Sequence, residues 1–302
     1  MKRRSFLKGT AAALAAGTLG RRVLAADAGP RVAVVRGPTE AALRRAVALV
    51  GGIGTFVKPG QKVLLKPNAS FSTGPDVGAN TSPEAVRAMV RLCLTEGKAK
   101  QVIVLDHTLR PPDTCFERSG IKAACADLKG CHLVGLEDKR FFVDTPIPGG
   151  KVLKHTAIAK DVLEADVLIS LPTAKSHSAT GVSLGLKGLM GLIWDRKTFH
   201  RDMDLNEAVA DLATVIPTRL TVVDASRALA SGGPGGPGET VRLDTIVASI
   251  DPLAADAKAV TLTPWYGRKF KGKQVRHLAA AAGRGLGEID PRRWQVVEER
   301  VS

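Results

Sequence analysis

An α/β fold, a largely parallel β-sheet flanked by helices, is what this 302-residue sequence predicts. Three observations carry that expectation. Short β-branched runs recur that are apolar throughout rather than alternating, as in strands with both faces covered. Stretches of helical periodicity lie between them, and strands alternating with helices at such distances build parallel sheets. The apolar 44% is mostly aliphatic, with eight Phe, three Trp and one Tyr, which suits helices packed against strands. That fraction excludes disorder, and 31 Gly with 17 Pro suit a chain of many short turns rather than a fibre or coiled coil. The length permits one large domain or two lobes.

In chain order, residues 1–28 read as an address. Arg3 and Arg4 precede Phe6, Leu7 and Lys8; an apolar stretch runs from Gly9 to Gly20, and Arg21 and Arg22 are basic again. This resembles a twin-arginine export signal, cleaved after Ala25 or Ala28, and implies the twin-arginine translocase as partner and a periplasmic or otherwise exported protein. The stretch is too short and too rich in Ala and Gly for a stable membrane span, and no later run reaches the ~18 apolar residues one needs. The formal charge is +15; with six basic residues and one acid among residues 1–28, 38 basic and 28 acidic residues remain, or +10 on 274 residues.

Residues 29–302 read as the α/β domain. Strands are expected at 32–35, 63–65, 102–105, 167–171, 220–223 and 246–250. A helix over 39–50 places Ala42, Leu43, Ala46, Val47 and Val50 on one face. The next opens with Thr81-Ser82-Pro83-Glu84, read as a capping box with an early Pro, and stops at Gly97. Helices over 206–216 and 252–262 follow, and the Gly/Pro run 232–238 is expected to be an exposed, irregular loop. The four Cys form no C-x-x-C pair, which argues against a thiolate metal site.

In open parallel sheets the ligand crevice lies outside the carboxyl ends of the strands. Five expected strand ends carry Lys66-Pro67-Asn68, Asp106-His107, Lys175-Ser176-His177, Asp224 and Asp251. Asp251, before Pro252, reads best as a helix cap. Converging ends would put Lys66, Lys175 and Lys187 around an anion, with Asn68 positioning it and His177, Asp106 and Asp224 as acid–base groups. His107, His177 and His200 could instead ligate a divalent metal with Asp106 or Asp224. In the segment 175–191, Thr180, Gly181 and Ser183 are candidates to hold phosphate or carboxylate oxygens of a ligand or cofactor at a helix N-terminus. Its glycines equally suit a small-residue helix packed on its neighbours, and it lacks the spacing of a Walker loop. The segment 267–277 has five Lys or Arg and no acid; with aromatic interleaving limited to Phe270 and no recognition motif it reads as a solvated face, not a nucleic-acid site.

These residues resemble domain-of-unknown-function family 362 over nearly all of the chain after the signal. The resemblance rests on Lys66-Pro67-Asn68, Thr81-Ser82-Pro83-Glu84, Leu171 to His177, Thr180-Gly181, Leu186-Lys187-Gly188, Phe199-His200, Val223-Asp224 and Asp251-Pro252 to Asp256. Thr173 stands where the pattern has Lys, and Gly188 where it has Asn, removing a charge and an amide from the implied site. Many relatives add a ferredoxin-like module with four-Cys runs; this chain has none, so no iron–sulfur cluster is expected in it. The resemblance implies a shared site without a known reaction. Two functions follow: an exported enzyme, cofactor- or metal-dependent, acting on a small anionic ligand, or a non-catalytic periplasmic ligand- or metal-binding or assembly protein using the same crevice.

Overall fold

The computed structural model describes Gly29 and residues 31–302; the expected export signal, residues 1–28, lies outside the described residues. Among the described residues there are twelve strands: β1 (Arg31–Arg36), β2 (Lys62–Pro67), β3 (Gln101–Asp106), β4 (Cys131–Gly135), β5 (Phe142–Pro146), β6 (His155–Ala159), β7 (Val167–Leu171), β8 (Thr173–His177), β9 (Gly181–Val182), β10 (Leu220–Leu229), β11 (Thr240–Ser249) and β12 (Gln295–Arg300). Ten form one sheet in the order β12-β1-β11-β10-β7-β2-β3-β4, with β8 attached to β10 and β9 to β8. The run β10-β7-β2-β3-β4 is parallel throughout, whereas β11 is antiparallel to both β1 and β10. β5 and β6 form a separate antiparallel pair.

Alternate residues of the central strands enter two different cores, which is why the strands read as unbroken apolar runs. Val32, Val34, Leu64 and Val247 pack under the helices Leu205–Ala213, Pro252–Ala259 and Arg276–Ala282. Ala33, Val35, Val63, Leu65 and Ala248 pack under Thr39–Leu49 and Pro83–Thr95. The expected strands and four helices are all present; β4, β5, β6, β8, β9 and β12 are additional, being short, mixed in polarity or at an edge.

Three local expectations need correction. Ser82 rather than Thr81 caps Pro83–Thr95, its Oγ accepting from Ala85 N at 3.3 Å. Thr81 Oγ1 is occupied instead, accepting from Asn68 N (2.8 Å) and donating to Leu171 O (2.7 Å), so Glu84 stands one position short of a reciprocal box. The loop 232–238 is not simply exposed: Gly233 is buried and donates its N–H to Ser176 Oγ at 3.0 Å, where a Cβ would fall 1.9 Å from Ser176 O. The basic segment 267–277 is likewise not all solvated, because His277 belongs to Arg276–Ala282 and is fully buried.

Candidate functional site

The carboxyl ends of β7, β2 and β3 are neighbours, and the residues beyond them surround one cavity of about 100 Å³. Strand periodicity selects its walls. Lys66, Asn68 and Ser70 follow Leu64 at intervals of two, and Lys175 and His177 alternate with Ala174 and Ser176; the first three and Lys175 with His177 all line the cavity. Beyond β9 the chain turns sharply at Leu184, whose φ of +60° is unusual for a branched residue, into the short helix Leu184–Gly188 that carries Lys187. The helix Arg196–Arg201 contributes Arg196 and His200, four residues apart and so on one face.

Asp256 sets the position of the Lys187 helix. Its two carboxylate oxygens accept the N–H groups of Gly185 and Leu186, each at 2.8 Å, and a Cβ at Gly185 would lie 2.9 Å from Oδ1. This bears on the expectation of a ligand at that helix N-terminus: a side chain of the protein already takes two of its free amides, those of Gly185 and Leu186. Burial without a cation beside it raises the Asp256 carboxyl to about 7.

The floor is an ion pair. Lys66 Nζ lies 3.2 Å from Asp106 Oδ1, both residues almost wholly buried, and also donates to Pro67 O. Asp106 Oδ2 accepts from Ala69 N (2.8 Å) and Ser70 Oγ (3.0 Å). Gly191 closes over the pair; a Cβ there would fall 2.1 Å from Asp106 Oδ1 and 2.6 Å from Lys66 Cε. Lys175 donates to Ala79 O, and its Nζ sits 4.7 Å from the Phe71 ring centroid. Lys187, also buried, makes no hydrogen bond or ion pair among the described residues. Asn68 Oδ1 accepts from Thr173 N at 2.9 Å, leaving Nδ2 toward position 188, where a Cβ would meet it at 3.7 Å.

Burial dominates the titration of these groups. It lowers Lys175 to about 7 despite Asp106, and Lys187 to about 7, helped by the Arg196 charge. Lys66 is also lowered by burial, with Asp106 opposing. His177 is pushed down to about 3 by burial and then by Lys187, so its ring is neutral near pH 7. Its Nδ1 accepts from Ala179 N at 3.1 Å, which puts the proton on Nε2. His200 Nδ1 is 2.9 Å from Arg196 O and must donate to it, leaving the Nε2 lone pair free. The two rings stack at 6.1 Å. One imidazole therefore presents an N–H and the other a lone pair.

The structure thus brings Lys66, Asn68, Asp106, Lys175, His177, Ser183, Lys187 and His200 to one cavity. It does not bring Asp224, Thr180 or Gly181 there. The Asp224 carboxylate accepts from Ser82 N (2.8 Å) and Ser226 N (3.0 Å), tying β10 to the start of Pro83–Thr95. Thr180 Oγ1 donates to Val182 O at 2.9 Å, and Gly181, the first residue of β9 and paired with His177, takes a φ of +78°. His107 also stands apart, its Nδ1 2.7 Å from Ile193 O and its ring stacked on Trp194. Among the described residues no three His, Cys, Asp or Glu side chains gather as a metal would require. His177 and His200 lie beside Lys187 and Arg196, a neighbourhood that does not fit a divalent cation. Sequence reasoning passed over Arg196, Phe71, Leu109 and Pro234 as cavity residues, because their approach depends on how loops fold back over the sheet.

The family model described as "Domain of unknown function (DUF362)" matches residues 63–261, a span holding every one of these cavity residues. The chain belongs to this family. One relative, the thylakoid-associated protein sll1697 of Synechocystis sp., is 29% identical over 225 residues, covering 72% of this chain and 67% of the relative. The lactate racemase apoprotein of Thermoanaerobacterium thermosaccharolyticum is similar in structure at a TM-score of 0.49 and 13% identity, covering 75% of this chain. The match spans 55% of that protein's length. Among the described residues of this DUF362 protein no helix is long and apolar enough to cross a membrane.

Proposed function

We propose that the cavity binds a small anionic compound through Lys187, Lys175 and Arg196 and performs acid–base chemistry on it, with His200 as the base and His177 as a hydrogen-bond donor. One observation carries this reading: four cationic side chains, Lys66, Lys175, Lys187 and Arg196, line a single small cavity with one carboxylate, Asp106. Lys66 already has that carboxylate, so an anion supplies what Lys187 lacks. Entry of a negative charge raises the pKa of both lysines, so binding takes up protons near neutral pH. His200 Nε2 is a lone-pair base and the neutral His177 Nε2–H a hydrogen-bond donor on the same wall, so the proton His200 takes from the ligand is the one it returns, while His177 polarises the ligand without ionising. Asn68 Nδ2 is placed to orient the ligand; Thr180, Gly181 and Asp224 hold the surrounding chain. The cavity's size limits the ligand to a compact molecule such as a short carboxylate or phosphate ester.

The same reading has the chain exported. The Arg3-Arg4 segment supports it, and a relative named for association with the thylakoid accords with it. Retention of an Arg3→Lys/Arg4→Lys variant in the cytoplasm tests the twin-arginine route.

Calorimetric titration with phosphate, sulfate and a panel of short carboxylates tests the site, with Lys187→Gln as the comparison. The reading expects a saturable anion whose affinity falls at least about tenfold in the variant, the loss of one charge-assisted contact. Proton NMR in D2O then follows exchange of a carbon-bound proton of the ligand. Exchange lost in His200→Gln supports catalysis, binding without exchange supports a non-catalytic holder, and no binding sinks both.

A further inference from the structure

A second cavity, of about 630 Å³, lies away from the first, between the far side of Pro252–Ala259 and the chain leading into β12. More than half of its wall comes from residues 271–296, beyond the family match at 261. Its floor is apolar: Ala257, Ile289, Trp294 and Val296. The Trp294 ring is anchored, its Nε1–H donating to Glu288 O at 3.0 Å, so it presents a fixed face. The opposite rim is rigid and basic. Gly272 packs so closely on the helix that a Cβ would fall 2.5 Å from Ala257 Cβ, and Lys271 N donates to Gln274 Oε1 at 2.8 Å while Gln274 N donates back to Lys271 O at 2.9 Å.

The charges around this rim are unequal. Lys258 is paired with Glu298 at 2.8 Å, and Arg292 is held by Asp290 at 2.5 Å. Lys271 and Lys273 have no carboxylate within salt-bridge distance among the described residues. Two exposed lysines on a fixed stretch of backbone, with no ion pair of their own among the described residues, therefore line the cavity beside its apolar residues, and the one carboxylate on the wall, Asp290, near Lys273, is already paired with Arg292. The volume falls in the ~300–1,000 Å³ range of small-molecule sites, whereas the first cavity falls far below it.

We infer that this is a second binding site, for an amphipathic anion: an acyl or aromatic body lying on Trp294, Ile289 and Val296, and a carboxylate or sulfonate head between Lys271 and Lys273. Burying the body against Trp294 provides the hydrophobic driving force, and the head meets cations that have no ion pair of their own among the described residues. This site does not rest on the function assigned to the first cavity.

Titration of the full chain with 1-anilinonaphthalene-8-sulfonate, followed by dye and tryptophan fluorescence and by displacement, tests it. Decanoate is expected to displace the dye, and decyltrimethylammonium, with the same tail and the opposite charge, is not. Lys271→Gln/Lys273→Gln, both exposed, should weaken dye binding at least about tenfold with unchanged circular dichroism. Thr261→Trp, an exposed wall residue made large enough to fill the space, should weaken it similarly. Lys187→Gln should leave it unchanged, separating the two sites. Equal displacement by the cation, or wild-type affinity in either wall variant, overturns the inference.

Discussion

Replacing Lys187 by Met should make the protein more stable at pH 7 while removing a cation from the proposed anion site. Lys187 is 7% exposed and has no partner among the described residues, and burial lowers it from 10.5 to about 7. At pH 7 the unfolded chain holds this proton fully and the folded chain only half, so folding releases it at a cost. Between pH 7 and 10.5 the unfolded state binds more protons, so this residue's contribution to stability improves as pH rises. At about 1.4 kcal/mol per unit, the shift corresponds to on the order of 4 kcal/mol of destabilisation at pH 7, vanishing above the unfolded value. Met keeps most of the side-chain volume and carries no charge; a gain of ~1–3 kcal/mol remains after imperfect packing. At ~2–4 °C per kcal/mol for a chain of about this size, the melting temperature should rise by several degrees. Thermal unfolding of both proteins at pH 7 and pH 10 measures it, Lys175 and all other groups cancelling in the difference. A lower melting temperature for the variant at pH 7, or an unchanged rise between pH 7 and 10, refutes the claim that Lys187 is buried for ligand rather than for fold.

The remaining predictions concern other parts of the same construction. Anion affinity should weaken as pH rises above about 7, where Lys175 and Lys187 lose their protons, and titration at pH 6 and pH 9 shows the direction. His277 is fully buried with neither ring nitrogen hydrogen-bonded among the described residues, and burial pushes it to about 3. Its contribution is present above 6.5, the unfolded value, and is lost as pH falls toward 3, so His277→Leu should flatten the acid side of the stability curve and be neutral or stabilising at pH 7. Gly191→Ala should disrupt the floor, since its Cβ would occupy the space of Asp106 Oδ1; a loss of ~1–3 kcal/mol in urea unfolding is expected. Gly188→Asn should fold normally, its Cβ meeting Asn68 Nδ2 at an ordinary 3.7 Å, and should change anion affinity by narrowing the cavity.

Much of this was legible in one dimension because strand periodicity is local. Apolar runs located the central strands, and the polar residues following 63–65, 102–105 and 167–171 were recognisable as strand-end groups before their neighbours were known. The register of β2 then carries Lys66 and Asn68 to one side, and that of β8 carries Lys175 and His177. Asp224 shows the limit. It follows a strand as Asp106 follows another, yet β10 continues past it, and its carboxylate faces Ser82 N instead of the cavity.

By itself, then, the sequence determined the fold class, the principal strands and the identity of the cationic side chains, since these depend on residue type and on spacings of two and about four. Only the tertiary structure decided which strand ends are adjacent, that Asp256 takes two free amides at the Lys187 helix N-terminus, and that Arg196 and His200 close over the lysines. The physical reason is that strand order and loop return are set by packing between residues far apart in the chain. Burial, which lowers Lys175 and Lys187 to about 7 and makes the cavity chemically distinctive, arises from that packing alone.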